Sequence, residues 1–188
     1  MKKSIILLLL VFVSLLFVGC KDETGKTNFE NDYPFFQEKD HVFVKGEYDE
    51  VHHALTQDDG VNIILFAYDP HFAECPFCLE CLPIINEVAL EEDVKKIIYF
   101  DVYQMRKERT DEYLTLLNYL DDQVDDLLTK NDQLEIIVPD IYVVKAGMIL
   151  GHHIATLSKD GGGFYLNLTE TQVDELKTIY RDLFKIGK

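Results

Sequence analysis

The chain has no tryptophan, and only 5 prolines and 10 glycines in 188 residues. So few breakers exclude collagen-like and low-complexity architectures. Positive charge is also scarce, with 18 Lys plus Arg against 34 Asp plus Glu and a formal charge of -16. A surface that acidic repels phosphate backbones and excludes nucleic acid as a partner. No internal repeat is present, and no calcium-loop pattern surrounds Asp121, Asp122, Asp125 and Asp126, which read as a solvated helix face. What is present is 47% hydrophobic and 28% charged residues. That is enough apolar material for a packed core and too much for a disordered chain. At ~150 residues per domain, the length predicts one domain.

The first residues form a targeting segment. Met1-Lys2-Lys3 is positive, and Ile5 to Val18 is apolar except for Ser14. The run is shorter than the ~20 residues of a membrane-spanning helix and suits a secretion signal. Gly19-Cys20 follows at once. The arrangement resembles the lipobox of bacterial lipoproteins, with Phe17 where leucine is usual. The resemblance implies that residues 1–19 are a signal peptide and that Cys20 is lipidated. It places the protein at the cell membrane on its extracytoplasmic face. A diacylglyceryl group supplies the two chains that stable anchoring requires. Residues 20–40 are polar and contain Gly25, Asn28, Asn31 and Pro34, which predicts a tether. Tyr33, Phe35 and Phe36 form an aromatic cluster suited to docking on the domain edge. The domain is then residues 41–188.

Within the domain, strand and helix signals alternate. His41–Lys45, the nearly continuous apolar run Val61–Tyr68, Lys96–Val102 and Ile141–Lys145 read as strands. Met148–Ala155 completes a β-hairpin through Ala146-Gly147. Helical spacing covers Glu47–Gln57, Cys78–Glu91 and Thr110–Thr129, the last with Tyr113, Leu116, Leu117, Leu120, Val124 and Leu127 on one stripe. Ser158–Gly163 reads as a turn. Thr169 and Gln172 form a capping box for a final helix carrying Val173, Leu176, Tyr180 and Leu183. The order β-α-β-α-β-α-β-β-α implies an α/β sandwich, parallel at the centre of the sheet and antiparallel at the hairpin.

Cys75-Pro76-Phe77-Cys78 follows a buried strand and opens a helix. A helix N-terminus offers unpaired N–H groups and partial positive charge. Both favour a thiolate, lowering a cysteine pKa from ~8.5 toward ~3.5–7.5. Cys75, at the exposed end, is the expected nucleophile, and Cys78, one turn in, the resolving thiol.

At this point the chain resembles the thioredoxin-like superfamily. Pro83, eight residues after Cys75, stands where thioredoxins carry a helix-kinking proline. Val138-Pro139 stands where the superfamily has its cis-proline, and Lys145-Ala146-Gly147 resembles the turn of the following hairpin. The resemblance covers about residues 41–186. It implies a three-layer α/β/α sandwich with a mixed central sheet and thiol-disulfide oxidoreductase activity without a cofactor. It also implies that Val138 and Pro139, with Pro76 and Phe77, bind an extended substrate segment. The branch it resembles includes accessory proteins of bacteriocin or peptide export.

The chain departs from the family at three places. Phe66 stands where thioredoxins have a buried acid, which leaves Asp69, Glu74 or a water as proton acceptor. Glu74, instead of tryptophan, precedes Cys75 and disfavours its thiolate. The helix Thr110–Thr129 is long.

Other residues carry weaker signals. Cys81 reads as a small buried side chain, with an auxiliary thiol as the sharper alternative. His71, Cys75, Cys78 and Cys81 match a zinc set by type, although Pro76 and Pro83 favour the redox helix. The doublets His52-His53 and His152-His153 read as surface histidines, since neighbours on a strand face opposite sides. The expected partners are cysteine-containing exported proteins or peptides and a transmembrane redox protein. The rival reading is a non-enzymatic binding protein that keeps Cys75–Cys78 as a static disulfide.

Overall fold

The computed structural model describes residues 22–125, 127, 129–130, 133–156, 165–186 and 188. The signal segment, Cys20 and the Ser158–Gly163 turn lie outside the described residues. None of the described helices is long and apolar enough to cross a membrane.

A helix over residues 22–32 (α1) comes first. It is followed by β1 (Phe43–Lys45), α2 (Tyr48–Thr56), β2 (Val61–Ala67), α3 (Pro76–Glu91), β3 (Ile97–Asp101), α4 (Tyr103–Glu108) and α5 (Asp111–Asp121). Two short strands, β4 (Thr129–Lys130) and β5 (Gln133–Leu134), pair only with each other. The chain closes with β6 (Asp140–Lys145), β7 (Met148–Ile154) and α6 (Glu170–Ile186). The main sheet has the order β1-β3-β2-β6-β7. Strands β1 and β2 both run parallel to β3, while β6 runs antiparallel to β2 and to β7. Parallel neighbours need crossovers, which α2 and α3 supply.

The architecture is therefore the expected thioredoxin-like α/β/α sandwich with a mixed sheet. Strand β2 is apolar except for Asn62 because it is central, with Ile63 to Ala67 all buried. On one side α3 packs on α6, and α6 packs on β6 and β7; α2 contacts β2, β3, β6 and β7. The hairpin turn places both Ala146 (φ 50°) and Gly147 (φ 72°) in the left-handed region. Two positive φ values in a two-residue loop match the twist of the flanking strands. The predicted capping box forms, with the Thr169 N–H donating to Gln172 Oε1 at 2.9 Å and the Gln172 N–H to Thr169 Oγ1 at 3.4 Å.

Two expectations need correction. Residues 20–40 are not a tether over their described length. Phe29, Tyr33 and Phe36 are buried in the core, and a Cβ at Gly25 would stand 2.4 Å from Val44 Cγ1. These aromatics follow helical spacing, a stripe that the polar residues around them obscure; the helix stops before Pro34, as proline requires of its neighbour. The Thr110–Thr129 helix ends at Asp121. Its sequence stacks Asp121, Asp122 and Asp125 at the C-terminal end, where acids oppose the helix dipole. Gln123 leaves the helix to accept the Ile149 N–H at 2.9 Å.

Candidate active site

Cys75 is the N-cap of α3, with Pro76 at its first turn. Proline suits that position because its missing N–H would be unpaired anyway. The freed N–H of Cys78 points at Cys75 Sγ, 3.2 Å away. The two cysteines form a disulfide with an S–S distance of 2.05 Å. Pro83 lies inside α3 and removes one helical hydrogen bond. Across from the cysteines, the Val138-Pro139 bond is cis. The carbonyl oxygen of Val138 stands 4.0 Å from Cys75 Sγ.

The helix mouth and the proline loop thus face each other as expected, but Cys75 is less open than expected. It keeps 6% exposure, and Cys78 keeps none. The proline loop explains this, since Val138 is itself buried and reaches the sulfur. The asymmetry between the two cysteines survives. Pro76 is exposed, whereas Phe77 is half-buried and packs against the core. Phe72, 67% exposed, and Leu79 put further apolar surface on the elements that carry the motif.

No protein-family model and no curated protein sequence matches the chain. Solved structures similar to it include a thioredoxin from Trypanosoma brucei brucei, at 15% identity and TM-score 0.41, covering 78% of this chain and 92% of that one. The thioredoxin of Malassezia sympodialis is similar at 14% identity and TM-score 0.43, covering 76% of this chain and 90% of that one. Oxidised thioredoxin O2 of Arabidopsis thaliana is similar at 15% identity and TM-score 0.41, covering 77% of this chain and 96% of that one.

The position expected to lack a buried acid holds Phe66, fully buried. Its partner in register on β6 is Asp140, also fully buried. Asp140 Oδ2 accepts the Tyr142 hydroxyl at 2.5 Å, and Oδ1 lies 3.0 Å from His152 Nδ1. A carboxylate therefore sits on the strand beside Phe66, directly after Pro139. An aspartate immediately after the predicted cis-proline was the available sequence signal. The acceptors suggested from sequence are placed elsewhere. Asp69 Oδ1 is engaged by the His71 N–H at 2.9 Å and by His71 Nδ1 at 2.8 Å, and Glu74 is exposed.

Cys81 is fully buried between α3 and α6, next to Tyr180, and burial pushes its thiol up to about 12. At neutral pH the thiolate that an auxiliary role needs is withheld. The zinc alternative also fails on geometry. Among the described residues, His71 groups with Asp32 and Asp69 and not with the cysteines. Nor is His152 a surface residue. It is mostly buried and stacks on Tyr142 with centroids 4.8 Å apart, while His153 meets Tyr180 edge-on at 5.5 Å. Of the other doublet, His52 stacks on Tyr48 and His53 is exposed.

One clamp was not foreseen. Arg106 on α4 donates to the Tyr68 hydroxyl, to the carbonyl of Ile136 at 3.2 Å and to Glu135. It joins the end of β2 to the segment that leads into Val138. No periodicity or motif marks this arginine, because its partners are distant in sequence.

Proposed function

We propose that this chain is an extracytoplasmic thiol-disulfide oxidoreductase, held to the membrane through Cys20 and exchanging disulfides with exported proteins or peptides. The observation that carries the proposal is the Cys75–Cys78 disulfide at the mouth of α3, facing the Val138 carbonyl. In the reducing direction the Cys75 thiolate attacks one sulfur of a substrate disulfide. A mixed disulfide forms, and the other substrate sulfur leaves as a thiolate. The Cys78 thiolate then attacks Cys75 Sγ, closes the 75–78 disulfide and releases the second substrate thiol. Two electrons pass from the cysteine pair to the substrate, and the reverse sequence oxidises a substrate dithiol. The backbone of Val138 offers an edge to an extended substrate segment. Continued turnover requires a transmembrane partner carrying its own dithiol or disulfide, donating electrons in one direction and accepting them in the other.

The experiment is trapping. A Cys78→Ser variant should accumulate mixed disulfides through Cys75 with exported proteins. A Cys75→Ser variant should not. Absence of trapped species in both, with a wild-type disulfide that resists reductant until the protein unfolds, would support the static binding module instead. The low exposure of Cys75 is the observation that favours that second reading.

A further inference from the structure

The N-terminal helix fixes where the domain meets the membrane. Cys20, the proposed point of attachment, stands two residues before Asp22, where α1 begins. Two residues of fully extended chain reach at most ~7 Å. No tether separates anchor from domain, so the start of α1 decides which part of the domain faces the bilayer.

That start lies at the end of the sheet opposite the cysteines. Asp22 Oδ1 is 3.5 Å from Nζ of Lys96, the residue before β3. Just past the other end of α1, the Tyr33 hydroxyl donates to the carbonyl of Tyr68, beyond the end of β2. The helix therefore runs alongside the sheet from one end to the other. At the Lys96 end, Val61 at the start of β2, Glu92 after α3 and Lys188 after α6 line one cavity. Cys75 caps the opposite end of α3. The 7 residues of β2 cover about 20 Å. The 16 residues of α3 cover about 24 Å. Both lengths separate Cys75 from the Lys96 end.

The Lys96 end has the composition of an interfacial surface. Val61, Leu90, Met148 and Ile186 are four of the eight large apolar side chains exposed among the described residues. Val61 and Met148 flank Lys145 in register across β2, β6 and β7. Lys95, Lys96, Lys145, Lys185 and Lys188 gather here, in a chain with only 18 basic residues. Against them stand Asp22, Glu50, Asp58, Asp59, Glu92 and Asp93, so this end is nearly neutral on a chain of formal charge -16. It is thus weakly repelled by anionic headgroups. Lysine stems lie along apolar surface while their ammonium groups reach the headgroups. Apolar side chains between them suit the boundary with the acyl chains.

We propose that Val61, Leu90, Met148 and Ile186 rest on the lipid surface and that Cys75 points away from the bilayer, about 20–24 Å above it. This orientation rests on the attachment through Cys20 proposed above. A transmembrane redox partner must then carry its dithiol at that height on an extracytoplasmic extension. Substrates reach Cys75 without entering the headgroup layer.

The test uses the absence of tryptophan. Met148→Trp and Phe72→Trp each place a single fluorophore at an exposed site, one at each end of the sheet. Each full chain is purified in detergent from expressing cells and placed in phosphatidylcholine–phosphatidylglycerol vesicles, with or without brominated acyl chains. The tryptophan of Met148→Trp should shift to shorter wavelength and lose most of its emission to the brominated lipid. That of Phe72→Trp should keep its emission and stay open to aqueous iodide. In the unsubstituted protein, vesicles should slow acetic anhydride modification of the exposed Lys145 and leave that of the exposed Lys107, on α4 at the cysteine end, unchanged. The orientation is overturned if bromine quenches Phe72→Trp as strongly as Met148→Trp, if it quenches neither, or if vesicles leave Lys145 as reactive as before. The mass of the N-terminal peptide tests the anchor separately, with a diacylglyceryl group expected on Cys20. Its absence defeats the anchor alone. Coupling Cys20 of the same chain to a maleimide-bearing phospholipid, with the 75–78 disulfide closed and Cys81 buried, then tests the orientation by the same quenching.

Discussion

Replacing Phe29 with alanine distinguishes a folded N-terminal helix from a tether. The ring is fully buried, with centroids 4.7 to 5.3 Å from those of Tyr33, Phe36, His41, Phe43 and Tyr99. Truncating a fully packed phenylalanine costs ~3–5 kcal/mol, counting lost transfer energy and the cavity left behind. For a domain of this size each kcal/mol lowers the melting temperature by about 2–4 °C. The expected fall is therefore ~6–20 °C, read by circular dichroism on the reduced protein so that the disulfide does not mask it. Phe35→Ala is the control, because Phe35 is exposed. An exposed substitution shifts stability by only about 0.5 kcal/mol. If Phe29→Ala melts within ~2 °C of wild type, less than the loss of 1 kcal/mol would produce, the helix over residues 22–32 does not belong to the domain and the packing argument fails.

Two further outcomes follow from partly buried polar groups. Arg106→Met leaves Glu135 and the Ile136 carbonyl without their donor. The pair is part-buried, so breaking it should cost less than the ~3–5 kcal/mol of a fully buried one, and Glu135→Gln in the same chain should recover part of the loss in urea unfolding. Asp101 is held above its ordinary value first by burial, with the nearby Asp69 adding to the shift. A carboxyl whose folded pKa is raised stabilises the fold while protonated, and loses that contribution as pH rises past the unfolded value of ~3.9. Wild-type stability should therefore fall relative to Asp101→Asn as pH rises from about 4 to neutrality. Parallel pH profiles for the two proteins would contradict this.

The inner strands of the sheet were legible because they bury both faces. A nearly unbroken apolar run such as Val61–Ala67 suits a strand covered on two sides and is too short for most helices. The cysteine motif, the proline loop and the hairpin turn were legible for a similar reason, since each depends on residues with restricted backbone chemistry. What escaped was decided by tertiary contact. The stripe Phe29, Tyr33 and Phe36 is too short to outweigh its polar neighbours until β1 and β3 offer Phe43 and Tyr99 as partners. Asp140 follows the predicted cis-proline in sequence, but only the pairing of β6 with β2 places it beside Phe66. His152 looked exposed until Tyr142 and Asp140 were brought beneath it.

The most direct test of the account is the rate at which iodoacetamide labels each thiol of the reduced protein as a function of pH, resolved by peptide mass. Cys75 should react first, with an apparent pKa below the ~8.5 of a free cysteine, because the α3 N-terminus favours its thiolate. Cys78 should lag, and Cys81 should stay unlabelled until the fold is lost. Labelling of Cys75 no faster than Cys78, or an apparent pKa above ~8.5, would contradict the assignment of Cys75 as the attacking sulfur.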